Sequence, residues 1–195
     1  PAGRPGMITF TQEQAEFRRS VARFVDTEVV PHAGAIDERG EFPRELFKRI
    51  GAQGWLGLRY PEAYGGAEAD MTTYCLFAEE LARGSLSVAA AAAMQSLMGT
   101  YFVFKYGSEA LRARYLSPAL RGDLVATFAL TEPNAGSDVA NITTRAERRG
   151  DRWVLRGTKT WVTSAPVADM LTVAAKTSGE RGLKNIALFL LDRAT

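Results

Sequence analysis

The chain has 195 residues, 24 of them Lys or Arg and 22 Asp or Glu, leaving a formal charge of only +2. A hydrophobic share of 46% beside 24% charged residues is that of an ordinary folded protein and excludes a disordered chain, a collagen or a coiled coil. One cysteine, Cys75, excludes a disulfide framework and a multi-cysteine zinc site; one histidine, His32, argues against a Ser-His-Asp triad or a histidine-rich metal centre. Two net charges spread over the whole chain do not point to nucleic acid.

Residues 1–9 read as a tag remnant or a disordered start, and no secretory leader pattern is visible. With a single thiol, a cytoplasmic setting is the expectation. Thr11 and Gln14 form a capping box for a first helix carrying Phe17, Val21, Phe24 and Val25, which Pro31 is expected to stop. His32 then sits at a solvated helix end. Pro43 suits the first turn of a second helix, with Leu46, Phe47 and Ile50 on one face and Gly51 as the stop. Residues 53–66 are punctuated by Gly54, Gly57, Pro61, Gly65 and Gly66, so they form a loop or short turns. Asp70 caps a helix with Tyr74, Phe77 and Leu81 inward, closed by Gly84, and Cys75 on it is expected in the core. Residues 84–104 carry no charge and are long enough to span a bilayer, but five alanines and several hydroxyls weaken that reading. A helix buried on all sides fits better, and no membrane is expected. Ser108 caps one more short helix, ended by Pro118.

After Gly122 the period changes. Residues 124–130 form an apolar run suited to a buried strand, and residues 142–147 alternate. Arg149, Gly150 and Asp151 make a hairpin turn into Trp153, Val154 and Leu155, and residues 159–164, 170–175 and 186–191 are further strands. Helices first and strands second give an α+β fold: an all-α helical domain over 10–122 and a β domain over 123–195. Such a sheet exposes edges, so the β domain is expected to be incomplete at its C-terminal end and completed by further polypeptide.

No phosphate-binding glycine fingerprint, nucleophile elbow or zinc-protease motif occurs. Two segments carry chemistry. Residues 131–138 follow a buried strand with turn formers and short hydroxyls; Gly136 permits close approach, and Thr131 and Ser137 suit a polar ring edge or a phosphate. A surface turn capped by its own side chains is the alternative. In residues 157–165, Trp161 and Thr163 on one strand face would set an aromatic plate beside a hydroxyl, as a planar cofactor needs. A core tryptophan on a half-buried strand is the alternative.

Together, residues 128–138 (FALTEPNAGSD) and 157–165 (GTKTWVTSA) resemble the two flavin-binding signatures of the acyl-CoA dehydrogenases, in that family's order and spacing. Residues 54–66, 79–82, 106–116, 168–173 and 182–192 extend the resemblance over nearly the whole chain. It implies a helical domain, a middle β-barrel-like domain, and a C-terminal four-helix bundle absent from this chain. It also implies FAD and α,β-dehydrogenation of an acyl-CoA substrate to the trans-2-enoyl-CoA. By position, main-chain atoms around Phe128, Ala129, Leu130 and Thr131 would hold the pyrimidine edge of the flavin. Thr131 and Thr163 would offer hydroxyls to the ring, and Trp161 and Val162 would pack at it. Gly136 and Ser137 would lie on the FAD phosphate side, Ser137 also at the mouth of the thioester channel. The catalytic base of the family matches no residue here; Glu132 keeps a structural reading, so this chain alone should not turn over. No charge occurs between Arg83 and Lys105, which favours an uncharged acyl chain. Arg145, Arg148, Arg149, Arg152 and Arg156 read as a solvated ribbon, with a CoA phosphate or a partner subunit as the alternative. A homo-oligomer and an electron-transfer flavoprotein partner follow from the resemblance. A flavin oxidase or monooxygenase on the same scaffold, and a non-catalytic subunit completed by a partner chain, are the rival readings.

Overall fold

The computed structural model describes residues 9–179 and 182–193; the expected start over 1–9 lies outside it except for Thr9. Thr11 closes the capping box onto α1 (Gln12–Phe24), with both reciprocal hydrogen bonds at 3.1 Å. Pro31 does not stop the run. A π turn over Val25–Val29 leads into α2 (Val30–Arg39), with Pro31 in its first turn. The Val30 N–H reaches back to the Val25 carbonyl, and this widened turn absorbs the donor that proline lacks. His32 is exposed in the first turn of that helix, which the π turn joins to α1.

α3 (Arg44–Ala52) starts after Pro43 and runs through Gly51. Gly51 is a crossing point rather than a stop: a Cβ there would strike the Arg121 backbone carbonyl. Short turns over Trp55–Gly57 and Glu62–Tyr64 follow, as the glycines and Pro61 require. Asp70 caps α4 (Met71–Gly84) through the Thr73 N–H at 2.7 Å. Trp55 is the hub of the helical core, with ring centroids 5.1 Å from Phe24, 5.9 Å from Phe77 and 6.3 Å from Phe17. Cys75 is exposed, contrary to the core expectation. Tyr74, Phe77 and Leu81 face inward, and one residue's rotation carries position 75 off that face.

The uncharged stretch forms α5 (Leu86–Ala93), a π turn (Met94–Gly99) and α6 (Tyr101–Tyr106). The continuous helix Leu86–Tyr106 is long and apolar enough to cross a membrane by length and composition alone. It is not buried on all sides. Val88, Ala92, Gln95, Ser96, Gly99 and Val103 are buried, while Leu86 and Tyr106 are 74% and 69% exposed. α7 (Glu109–Leu111), a π turn (Arg112–Leu116) and α8 (Ser117–Leu120) complete the helices; Pro118 stands in the first turn of α8 instead of ending its predecessor.

Five strands form one mixed sheet: β1 (Ala126–Ala129), β2 (Arg145–Arg149), β3 (Arg152–Arg156), β4 (Met170–Lys176) and β5 (Ile186–Asp192). β1 lies parallel to β4, from Ala126 opposite Met170 to Ala129 opposite Val173. β5 pairs antiparallel along all of β4, and the β2–β3 hairpin joins β4 only where Arg145 meets Lys176. Residues 159–164 are not a strand. Trp161 (φ +55) and Ser164 (φ +63) are left-handed, so side chains there cannot alternate across two faces.

Gln95 joins the helices to the sheet. Its amide nitrogen donates to the carbonyls of Ala119 (2.8 Å) and Leu124 (2.7 Å), and its oxygen accepts from the Ala126 N–H (2.7 Å). Four residues on, Gly99 lets the same helix meet β1, because a Cβ there would strike the Ala126 carbonyl. Every polar atom of the Gln95 side chain is therefore spent on the junction, which fixes where β1 begins.

Candidate functional site

β1 is wholly buried, and Phe128 packs on Phe102 with centroids 4.7 Å apart. β1 leads into half-buried Leu130 and Thr131, after which the chain turns: Glu132 and Ala135 exchange N–H···O bonds of 3.0 and 3.1 Å. Gly136 and Ser137 follow, both exposed, with no atom within 4 Å of where a Cβ on Gly136 would stand.

The second segment is tied to β1 and to the residues just past it. Thr160 N–H donates to the Thr131 carbonyl at 2.9 Å, and the Thr127 hydroxyl donates to the Thr163 carbonyl at 2.6 Å. The second segment is thus laced to the chain at both ends of residues 127–131, four steps or roughly 13 Å at strand rise. The lacing uses backbone oxygens of Thr131 and Thr163, and neither threonine's own hydroxyl is consumed in it.

Trp161 stands between these two ties and is 88% exposed. This overturns both the shared strand face and the core tryptophan. A bulky residue at positive φ costs on the order of 1 kcal/mol or more, and an exposed indole recovers nothing by burial. Strain that holds an aromatic plane out in solvent fits a planar ligand. Val162 and Thr163 are half-buried. Thr163 and Ser164 open on a cleft of about 800 Å³, walled by α2 and α5 through Ile36, Val88 and Ala91 and by Phe42 in the connection after α2. Thr131 does not line that cleft, so the two threonines are joined through backbone rather than through one pocket.

Glu132 is 2% exposed and is the anchor of the site. It accepts from the Thr143 N–H and hydroxyl (both 2.6 Å), the Thr144 N–H (2.9 Å) and Lys159 Nζ (2.8 Å). Burial pushes its carboxyl up, but the bonds from Lys159, Thr143 and Thr144 outweigh that and hold it well below the usual carboxylate range. A carboxylate so saturated has no lone pair to spare for abstracting a proton. Lys159 also donates to the Leu130 carbonyl at 2.9 Å, clamping the second segment onto the end of β1. Lys159 and Thr127 were not singled out from the sequence. The one cation within residues 157–165 was the available signal for Lys159; nothing marked Thr127.

Among the described residues no group of three His, Cys, Asp or Glu side chains is placed to hold a metal ion. What the site offers is an exposed indole, two threonine side chains, the backbone edge of 128–131 and open space at Gly136. A flat heteroaromatic group with a phosphate tail fits that set.

Comparison with known proteins agrees with these features. The family model described as acyl-CoA dehydrogenase, N-terminal domain, matches residues 11–123, and the one described as acyl-CoA dehydrogenase, middle domain, matches residues 127–195. Benzylmalonyl-CoA dehydrogenase of Aromatoleum aromaticum is 45% identical over 94% of this chain and 48% of its own length. The 3-(aryl)acrylate reductase of Clostridium sporogenes is 40% identical over 94% and 49%. A glutaryl-CoA dehydrogenase of Mycobacterium smegmatis, solved with FADH2, superimposes with a TM-score of 0.87 at 33% identity over 94% of this chain and 46% of that one. The chain spans about half the length of the curated relatives it matches.

Proposed function

Since the chain belongs to the acyl-CoA dehydrogenase family, we propose that it supplies the flavin-binding face of an FAD-dependent oxidoreductase that converts an acyl-CoA thioester to its trans-2-enoyl-CoA. The observation that carries this is Trp161, held exposed at a strained backbone between the Thr160–Thr131 and Thr127–Thr163 ties. In this reading residues 10–122 form the helical domain and 123–195 the β domain.

Bound FAD supplies the two-electron acceptor that no side chain provides. Backbone of Phe128, Ala129, Leu130 and Thr131 would meet the polar edge of the ring, and the hydroxyls of Thr131 and Thr163 would be free to hydrogen-bond to it. Trp161 would cover one face and exclude water, with Val162 beside it. Gly136 leaves room for the phosphate side, and Ser137 stands where that side meets the thioester channel. Glu132 fixes the loop and does not exchange protons, so no residue here is assigned as the base.

The alanines of α5 and the absence of charge between Arg83 and Lys105 favour an acyl group without a distal charge. Two relatives named for aryl-bearing compounds support a bulky, aromatic one, while benzylmalonyl-CoA, for which one of them is named, does carry a second carboxylate. Electrons then pass to an electron-transfer flavoprotein, from a homo-oligomeric enzyme.

The test is anaerobic mixing of the full-length protein with aliphatic and aryl acyl-CoAs while flavin absorbance is followed. Bleaching by an acyl-CoA supports the reading. No bleaching by any thioester refutes it, and stoichiometric peroxide under air in the presence of product replaces it with an oxidase.

A further inference from the structure

Three cations stand side by side across the sheet. Arg145 of β2 is directly opposite Arg156 of β3 on one side and Lys176 of β4 on the other. Directly paired residues project to the same face, so the side chains form a single row. Like charges placed directly opposite destabilise a sheet, and nothing on this ribbon offsets them. Its acidic residues, Glu147 and Asp151, pair with Arg149 and Arg152 instead, and among the described residues none of the three cations has an acidic partner.

Arg145 and Lys176 line a polar cleft of about 240 Å³ together with Asn141, Thr143 and Ser178, and Arg156 stands beside Arg145 outside that lining. Lys176 Nζ donates one hydrogen bond to the Ala140 carbonyl at 2.8 Å, which holds the ammonium at the rim with two donors left. The cleft is also tied to the candidate site. Glu132 grips Thr143 and Thr144, so the wall carrying Arg145 is fixed to the loop that carries Gly136 and Ser137. Guanidinium forks match phosphate oxygens in pairs, and a dianion is what a row of three cations lacks.

We propose that the Arg156–Arg145–Lys176 row binds a phosphate monoester, the terminal phosphate at the nucleotide end of the acyl-CoA thioester. This rests on the acyl-CoA reading above. The probe is adenosine 3′,5′-bisphosphate, which carries that phosphate without any thioester, with 5′-AMP as the ligand lacking it. Both are titrated calorimetrically into the full-length flavoprotein and its Arg145→Gln/Arg156→Gln variant. The wild type is expected to prefer the bisphosphate about tenfold, from two charge-assisted contacts at a partly exposed site, and the variant to lose that preference. Should the double variant fail to fold by circular dichroism, Lys176→Gln serves instead, with the preference expected to fall about threefold.

Equal affinity for the two nucleotides in the wild type overturns the proposal, as does a preference that survives in the folded variant. Loss of FAD from the variant with the preference intact also overturns it and assigns the row to the cofactor's diphosphate. A bisphosphate preference that depends on the row, in a protein that no acyl-CoA bleaches, supports the phosphate site and refutes the dehydrogenase reading alone.

Discussion

Replacing Glu132 by Gln keeps the shape and removes the charge. In the native protein this carboxylate, 2% exposed, satisfies four donors, one of them Lys159 Nζ, whose side chain is 11% exposed. In the variant one end of the amide is itself a donor, and it faces donors on Thr143 or Lys159. Lys159 keeps its charge and loses its counter-charge. Breaking one partner of a buried pair costs about 3–5 kcal/mol, more than the roughly 1–3 kcal/mol of an unsatisfied buried donor alone. Urea unfolding of the full-length protein should show a loss of that size near pH 7. Glu132→Gln with Lys159→Met should recover at least half of it, because the stranded ammonium is gone. The pH dependence has a definite sign. Glu132 ionises in the native state well below the 4.5 of an unfolded glutamate, so its contribution is complete above pH 4.5 and is withdrawn as pH falls toward the native value. The stability gap between wild type and Glu132→Gln should therefore narrow only below pH 4.5. A variant as stable as wild type at pH 7, or a gap that widens on acidification, would refute the clamp.

Trp161→Ala should change unfolding stability by less than about 0.5 kcal/mol, since the ring is 88% exposed, while weakening flavin retention about tenfold; flavin-to-protein absorbance after dialysis measures the second effect. Thr163→Val should slow flavin reduction by acyl-CoA severalfold in stopped flow yet leave the fold intact, because the tie to Thr127 uses the Thr163 carbonyl and not its hydroxyl. Gly99→Ala should destabilise by about 1–3 kcal/mol, read from the denaturation midpoint, because the added methyl meets the backbone of Ala126 where helix and strand touch.

Much of the fold is written in local chemistry. Caps at Thr11, Asp70 and Ser108 are read by the backbone three residues on, and all three close as side-chain-to-N–H bonds. The prolines show the limit of such reading. Pro31 and Pro118 each follow a π turn into a new helical start, and only the packing of the surrounding helices shows that the chain carries on. Cys75 fails for a similar reason, since an apolar residue beside a buried stripe is indistinguishable from one in it until the stripe's direction is known.

At the candidate site the sequence by itself determined which residues are present: a glycine-containing turn after a buried strand, and a tryptophan among threonines thirty residues later. Their chemistry needs no coordinates. Tertiary structure decided how they meet. Two residues at positive φ break the expected strand, and the Thr131 carbonyl just past β1 captures what remains through the Thr160 N–H, so that Trp161 faces outward instead of into the core. It also decided that Arg145, Arg156 and Lys176 share one row. Backbone conformations imposed by distant hydrogen bonds, and strand register set between segments far apart in the chain, leave no mark on local periodicity.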